Sequence, residues 1–422
     1  MTKAKYDTEW RPTHTTLTVG GITQQINAMQ YNELSQLKEK YLHGNSGSYM
    51  QKQSFAYNIR GWLTGINSLG SGIDGNLFGM RLYYNDVPNE AAAYAVGRYN
   101  GNIAAMMWTT ANITPTQLHS GYAYSYDQLN RLTRAVYYQH EPSKTEYLLP
   151  NDDSRRYSYG SVDGVGTVNN ISYDRNGNIL GLRRTASSAG QSLIFDELNY
   201  FYSGNRLLAV DDKIKGQTTL GDFTDNGRRY IGFDPEYHYD PNGNVTNDEN
   251  RSLKIAYTQG NNMPAMIAHE GGIIANRYSF GGQKLGRSFT DMYGQLVSDE
   301  TYYGNLVMEQ RNPSRILFED GYIDLTPGQQ AVFNYHLKDH LGNVRVVLRP
   351  DINNLFGAVV QSNDYFPFGM AYTRHGVTLW DGNIQAVAIA YDSRHGIKES
   401  PTFTKDNRYL YNGKEEQPMP GK

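Results

Sequence analysis

The chain has 422 residues, with 39 Lys and Arg against 42 Asp and Glu, no cysteine, 43 Gly and 35 Tyr. A formal charge of −3 lacks the Lys and Arg excess of a nucleic-acid groove or a polybasic membrane patch, and without cysteine there is no disulfide, thiolate metal site or thiol nucleophile. No apolar run approaches the roughly 18 residues that span a bilayer, and Met1 to Arg11 has no hydrophobic stretch of a signal peptide.

Leu, Ile, Val and Phe total about 87, close to the roughly one-fifth level below which a packed core becomes hard to build. Tyrosine, apolar in its ring and polar at its tip, must supply the difference. That balance predicts a broad, solvent-touching sheet rather than a compact oily core.

In chain order, a seven-residue pattern first appears at Tyr31-Asn32-Glu33-Leu34-Ser35-Gln36-Leu37. It consists of Tyr, then Asp or Asn, two variable residues, a turn-former, a further residue and an aliphatic one. Residues Asn32 to Leu42 also fit an amphipathic helix, but the repeat favours strands around a turn. The second copy is Tyr57-Asn58-Ile59-Arg60-Gly61-Trp62-Leu63. After it, Gly70-Ser71-Gly72-Ile73-Asp74-Gly75 fits G-x-G-x-x-G without the flanking strand and helix of a dinucleotide site. Asn89 to Val96 is alanine-rich behind Pro88 and predicts a helical turn or two.

The third copy is Tyr126-Asp127-Gln128-Leu129-Asn130-Arg131-Leu132 and the fourth is Tyr173-Asp174-Arg175-Asn176-Gly177-Asn178-Ile179. The acidic pairs Asp152-Asp153 and Asp211-Asp212 flank a shorter relative, Tyr202-Ser203-Gly204-Asn205-Arg206-Leu207, and both read as solvated loops. The fifth copy is Tyr239-Asp240-Pro241-Asn242-Gly243-Asn244-Val245. The runs from Asp174 and Asp240 resemble an EF-hand start but lack its Gly and Glu, so turn chemistry is the reading. A further relative, Lys338-Asp339-His340-Leu341-Gly342-Asn343-Val344, has Lys in place of Tyr. His336 and His340 stand four apart, which in a strand is about 13 Å, too far to share a metal.

Asp or Asn can accept backbone N–H groups two residues on, and Gly or Asn accepts positive φ. The flanks are aromatic and β-branched. Each copy therefore reads as strand, short turn, strand, with Gly-Asn or Asn-Gly turns also at residues 101–102, 304–305, 382–383 and 412–413. The structural positions of the motif are Tyr31, Tyr57, Gly61, Tyr126, Asp127, Tyr173, Asp174, Gly177, Tyr239, Asp240, Gly243, Asp339, Gly342 and Asn343.

These copies resemble the YD repeats of the Rhs family. Tyr335 to Arg345, Asp364-Tyr365-Phe366-Pro367-Phe368-Gly369 and Tyr409 to Glu415 resemble the opening of its associated core region, and Phe78-Gly79-Met80 with Tyr99 to Ile103 resembles the Bacteroidetes branch. The resemblance implies an all-β fold, a curved, spiralling sheet of hairpins forming an open or partial shell. It divides the chain into a repeat region, 1–330, and an incomplete core opening, 331–422. It also implies a non-enzymatic, secreted or surface-displayed carrier whose partners are the downstream core, a C-terminal toxin and a secretion apparatus. No catalytic residue, cofactor or metal site carries over.

Strand area supports the incompleteness. If some 60 % of the chain is sheet it covers about 4,000 Å², enough for a sphere of roughly 13 Å inner radius, whereas a 100-residue domain needs about 17 Å. The expected form is an open arc or a barrel-like remnant with unpaired edges at its first strand and near Tyr409 to Asn412. A glycan-binding adhesin, a propeller-like glycosidase with convergent carboxylates and a truncated remnant without a role of its own are the competing readings.

Overall fold

The computed structural model describes residues 1–45, 47–69, 76–110, 119–140, 157–159, 171–188, 191–214, 223–351, 354–369, 371–380, 383–389 and 414. These form two 15-stranded antiparallel sheets. The first runs from Thr2–Tyr6 to Arg206–Asp212 and the second from Tyr237–Tyr239 to Asn383–Ile389. Apart from Ser172–Tyr173, which pairs with Ile179–Ser188 off the main path, strand order follows chain order. Short turns suffice for such a meander, which is why so many Gly, Asn and Asp recur at fixed intervals.

Among the described residues there is no α-helix. Asn32 to Leu42 is a turn entering the strand Leu37–Asn45. The alanine-rich stretch gives a single 3₁₀ turn, Asn89–Ala91, whose Ala91 also accepts from Ala95 N–H. The second sheet is continuous across the turn at 325–331, because Asp324 pairs with Val332. The first sheet ends at Asp212 and the second begins at Tyr237. The segments 70–75, 152–153, 382 and 409–413 lie outside the described residues.

The core departs from the expected thin sheet. One apolar cluster joins Leu17, Ile26, Leu42 and Met50 of the early strands to Ile323, Phe333, Tyr335, Leu337, Val346 and Leu348 of the late ones. The late strands Val332–Lys338 and Val344–Asp351 lie over the early sheet, so aliphatic residues spaced far apart in sequence are pooled in one core. Polar contacts fix the overlay. Asn27 Nδ2 donates to Asp320 Oδ2 at 2.6 Å, Lys40 pairs with Asp320, and Gln51 Nε2 donates to the Phe356 carbonyl at 2.8 Å.

In the middle of the first sheet both faces are covered. Phe78, Met80, Trp108 and Tyr122 face the main cluster, while Ala105, Met107, Ala123 and Val136 face Ala91 and Ala95 in the 84–104 excursion. Gly121 permits this packing, because a Cβ there would come within 2.4 Å of the Tyr138 ring. Strands Leu253–Tyr257 to Leu306–Glu309 have few buried apolar residues, and there the thin, tyrosine-edged sheet read from composition does hold.

Candidate functional site

Among the described residues no group of three or more His, Asp or Glu could hold a metal ion. The recurring feature is the repeat turn. In the copies that start at Asn32, Asn58, Asp127, Asp174, Asp240 and Asp339, the first residue donates its N–H to the fifth residue's carbonyl. The fourth donates back to the first. The side chain reinforces this loop: Asp127 Oδ1 accepts from Leu129 and Arg131 N–H, both at 2.9 Å, and Asp339 Oδ1 accepts from Leu341 and Asn343 N–H, both at 3.0 Å. The fourth residue has positive φ, supplied by Gly61, Gly177, Gly243 and Gly342, or by Ser35 and Asn130 where glycine is lacking. A bulge follows each turn: Tyr239 pairs with Val245 and His238 with Asn247, which leaves Thr246 as the extra residue.

Three turns of the same form were not recognised in the sequence, those beginning at Asp7, Ser279 and Asp291. Tyr6-Asp7 has the right opening pair, but Trp10 takes the left-handed position (φ 62°) and Pro12 the aliphatic one. Asp291 follows Thr290 rather than Tyr. A search without the tyrosine would have found Asp291, whereas Ser279 follows Tyr278 but has Ser in place of Asp or Asn and Lys284 in place of the aliphatic residue.

The tyrosines have a separate task. Their hydroxyls reach back one hairpin to a backbone carbonyl: Tyr31 to Pro12 at 3.0 Å, Tyr57 to Leu37 at 2.9 Å, Tyr126 to Ile103 at 2.8 Å, Tyr173 to Leu132 at 2.5 Å and Tyr239 to Leu207 at 2.8 Å. Burial raises Tyr126 to about 12, so each hydroxyl stays a donor. The arginine closing a preceding turn lies over the ring, with Arg131 4.6 Å from the Tyr173 centroid and Arg11 4.8 Å from that of Tyr31. Tyr173→Phe is expected to lower stability by about 1 kcal/mol, read as a shift in urea midpoint at constant slope.

Acid should act on both turns and core. The Asn244 side-chain amide, opposed by desolvation and aided by backbone N–H groups, holds Asp240 below its ordinary 3.8; Asp127 is lowered chiefly by the Arg131 backbone N–H. A lowered carboxylate contributes stability above its ordinary pKa and loses it as pH falls through the folded value. Burial lowers His43 from 6.5 to about 4, so folding also disfavours its protonation across that interval. Melting temperature should therefore fall from pH 6.5 to 4, a slope that His43→Gln flattens, and fall again below about pH 4 as the turn carboxylates protonate.

The residues resembling a core opening meet in one buried knot. Arg345 donates from Nε to Asp339 Oδ2 at 2.9 Å and from Nη1 to Asp364 Oδ1 at 3.1 Å. Asp364 Oδ1 also accepts from Trp108 Nε1 at 2.8 Å, and the guanidinium lies 4.9 Å from the Trp108 ring centroid. Burial pushes the Asp339 carboxyl up, but Arg345, His340 and Asn343 together hold it below the usual range. His336 lies in a strand and His340 in the turn that follows; each has a buried ring nitrogen without a partner, and no metal cluster includes them.

The pair Asp211-Asp212 corrects the loop reading. It closes the strand Arg206–Asp212, and Asp212 is buried, with its carboxyl raised by desolvation. Asp212 accepts from the N–H groups of Glu197 and Ile214, Asp211 from Tyr230 N–H, and Glu236 from Val210 N–H. These carboxylates organise the segment between the sheets. Their alternation along a strand next to a long irregular segment was the available signal. On the second sheet, buried charges pair across neighbouring strands, Arg287 with Glu300 in bidentate fashion (2.9 and 3.0 Å) and Arg315 with Asp324 (2.9 Å).

No family model matches the chain, and no curated protein does. Solved structures do match. The crystal structure of TcdB2-TccC3-Cdc42 aligns over 99 % of this chain with a TM-score of 0.62 at 15 % identity. A mutant Tc holotoxin pore from Photorhabdus luminescens (TM-score 0.61, 15 % identity) and TcdB2-TccC3 itself (0.61, 14 %) each align over 99 % as well. The fold is that of these Tc toxin chains. Our chain spans only 18 % of their length.

Proposed function

We propose that this chain is a shell segment of an Rhs-type polymorphic toxin of the Bacteroidetes branch, non-enzymatic in itself, which helps contain and deliver a C-terminal effector. The observation that carries the reading is the fold shared with TcdB2-TccC3 over 99 % of the chain. One of the matched structures is described as TcdB2-TccC3 without its hypervariable C-terminal region, which supports the reading of a variable segment downstream of a shell of this fold. The contacts of Asp320 with Asn27 and Lys40 and of Asp364 with Trp108 fasten the late strands onto the early sheet, as a closing element of a container would, and this supports the reading. Export through a dedicated apparatus follows from that role. The repeat tyrosines give little support to glycan binding, because their hydroxyls are committed to neighbouring carbonyls.

The test is made on the whole gene product that carries this sequence. Limited proteolysis should spare a C-terminal effector while the sheet is folded and degrade it after the Arg345 knot is broken. Digestion at equal rates in both states would overturn the containment reading.

A further inference from the structure

Consecutive turns lie along one rim of the first sheet, and side chains tie several neighbouring turns together. Arg11 Nη1 donates to Ser35 Oγ at 3.0 Å, Arg60 Nη1 to the Tyr99 carbonyl at 2.5 Å, and Asn100 Nδ2 to Asn130 Oδ1 at 2.6 Å. The rim is therefore a fixed surface rather than a row of independent loops. The first five connections on this rim each place a large apolar side chain at the tip: Trp10 (83 % exposed), Leu34 (79 %), Ile59 (103 %), Tyr99 (69 %) and Leu129 (69 %). Successive tips are two strands apart, so the five form a stripe of about 38 Å, which stops at the polar turns 174–178 and 203–206. Turn tips are normally polar, and isolated exposed apolar residues need no explanation; five in succession along one rim do.

We propose that this rim is the surface on which a second copy of the chain seats, rim to rim and antiparallel. A two-fold axis between the second and third turns sets Leu34 against the partner's Ile59 and Trp10 against the partner's Tyr99. It also sets exposed Glu33 against the partner's Arg60, which gives one complementary charge pair on each side of the axis. Four large side chains from each copy bury on the order of 500 Å² per partner, at the lower end for a specific interface, which fits a concentration-dependent dimer rather than an obligate one. The free edge of Thr2–Tyr6 is the other candidate surface. Among the described residues it pairs only with Pro12–Val19, but in an antiparallel pair centred on Ala4 its exposed Lys3 would face the partner's Lys5. At the rim the charges next to the axis are of opposite sign. The pairing stands on this geometry and not on the containment reading.

Sedimentation velocity of the chain over 1–200 μM tests it. The wild type should form dimers within that range, and Ile59→Asp or Leu34→Asp should weaken association at least tenfold with unchanged melting temperature. Glu33→Arg and Arg60→Glu should each weaken it, and the two together should restore it. A strict monomer at 200 μM, association indifferent to both tip substitutions, or a charge swap that fails to restore it would each overturn the proposal.

Discussion

Arg345→Ala is expected to destabilise the protein by about 3–5 kcal/mol, because it removes one partner of a buried ion network and leaves the others uncompensated. Arg345 and Asp339 are almost wholly shielded, with side chains 3 % and 1 % exposed. Without the guanidinium, Asp339 keeps its turn amides but loses its main source of charge compensation, and Asp364 keeps only the Trp108 indole N–H among these partners. Urea unfolding would show the loss directly. Arg345→Lys would not rescue it, since an ammonium cannot bridge two carboxylates with a planar fork while stacking on Trp108. A loss below about 1 kcal/mol would mean that water reaches the knot.

Tyr335→Ala is expected to have a comparable effect, about 3–5 kcal/mol, for a different reason. Its ring is fully buried in the cluster shared by both sheets and packs edge-on against His43 and Phe318. Removing it leaves a cavity where the sheets meet. Tyr335→Phe separates packing from hydrogen bonding, since it keeps the ring and loses only the hydroxyl 2.8 Å from His43 Nδ1. That variant should cost about 1 kcal/mol. If Phe and Ala proved equally damaging, the hydrogen bond and not the ring would join the sheets.

The all-β meander was legible because turn chemistry is local. An Asp or Asn at the first position and a Gly, Asn or Ser at the fourth announce a hairpin without reference to anything distant, and Asn58 with Gly61 or Asp240 with Gly243 did so. Where tertiary needs allowed a different residue, as with Trp10 in the left-handed position, the local signal failed. The overlay of late strands on early ones had no local signature. Nothing near Asn27 or Lys40 points to Asp320, and nothing near Trp108 points to Asp364. The burial of Asp212 was missed for the same reason, since whether an acidic pair is solvated depends on what the chain brings over it later. The tyrosines were recognised as abundant and placed correctly at strand ends. Their hydroxyl bonds to the preceding hairpin link two copies of the repeat and could not be read from one.

The long reach of the overlay also has a consequence for synthesis. The apolar face of the first sheet is complete once the strand ending at Asp212 has formed, but Asp320, Tyr335 and Leu348, which cover it, come later in the chain. Between the addition of Asp212 and that of Asp320 a ribosome adding 5–20 residues per second spends roughly 5–22 s. For that interval the growing chain holds formed hairpins with an uncovered greasy side, and its safe folding depends on chaperone shielding or on a slow, protected exit.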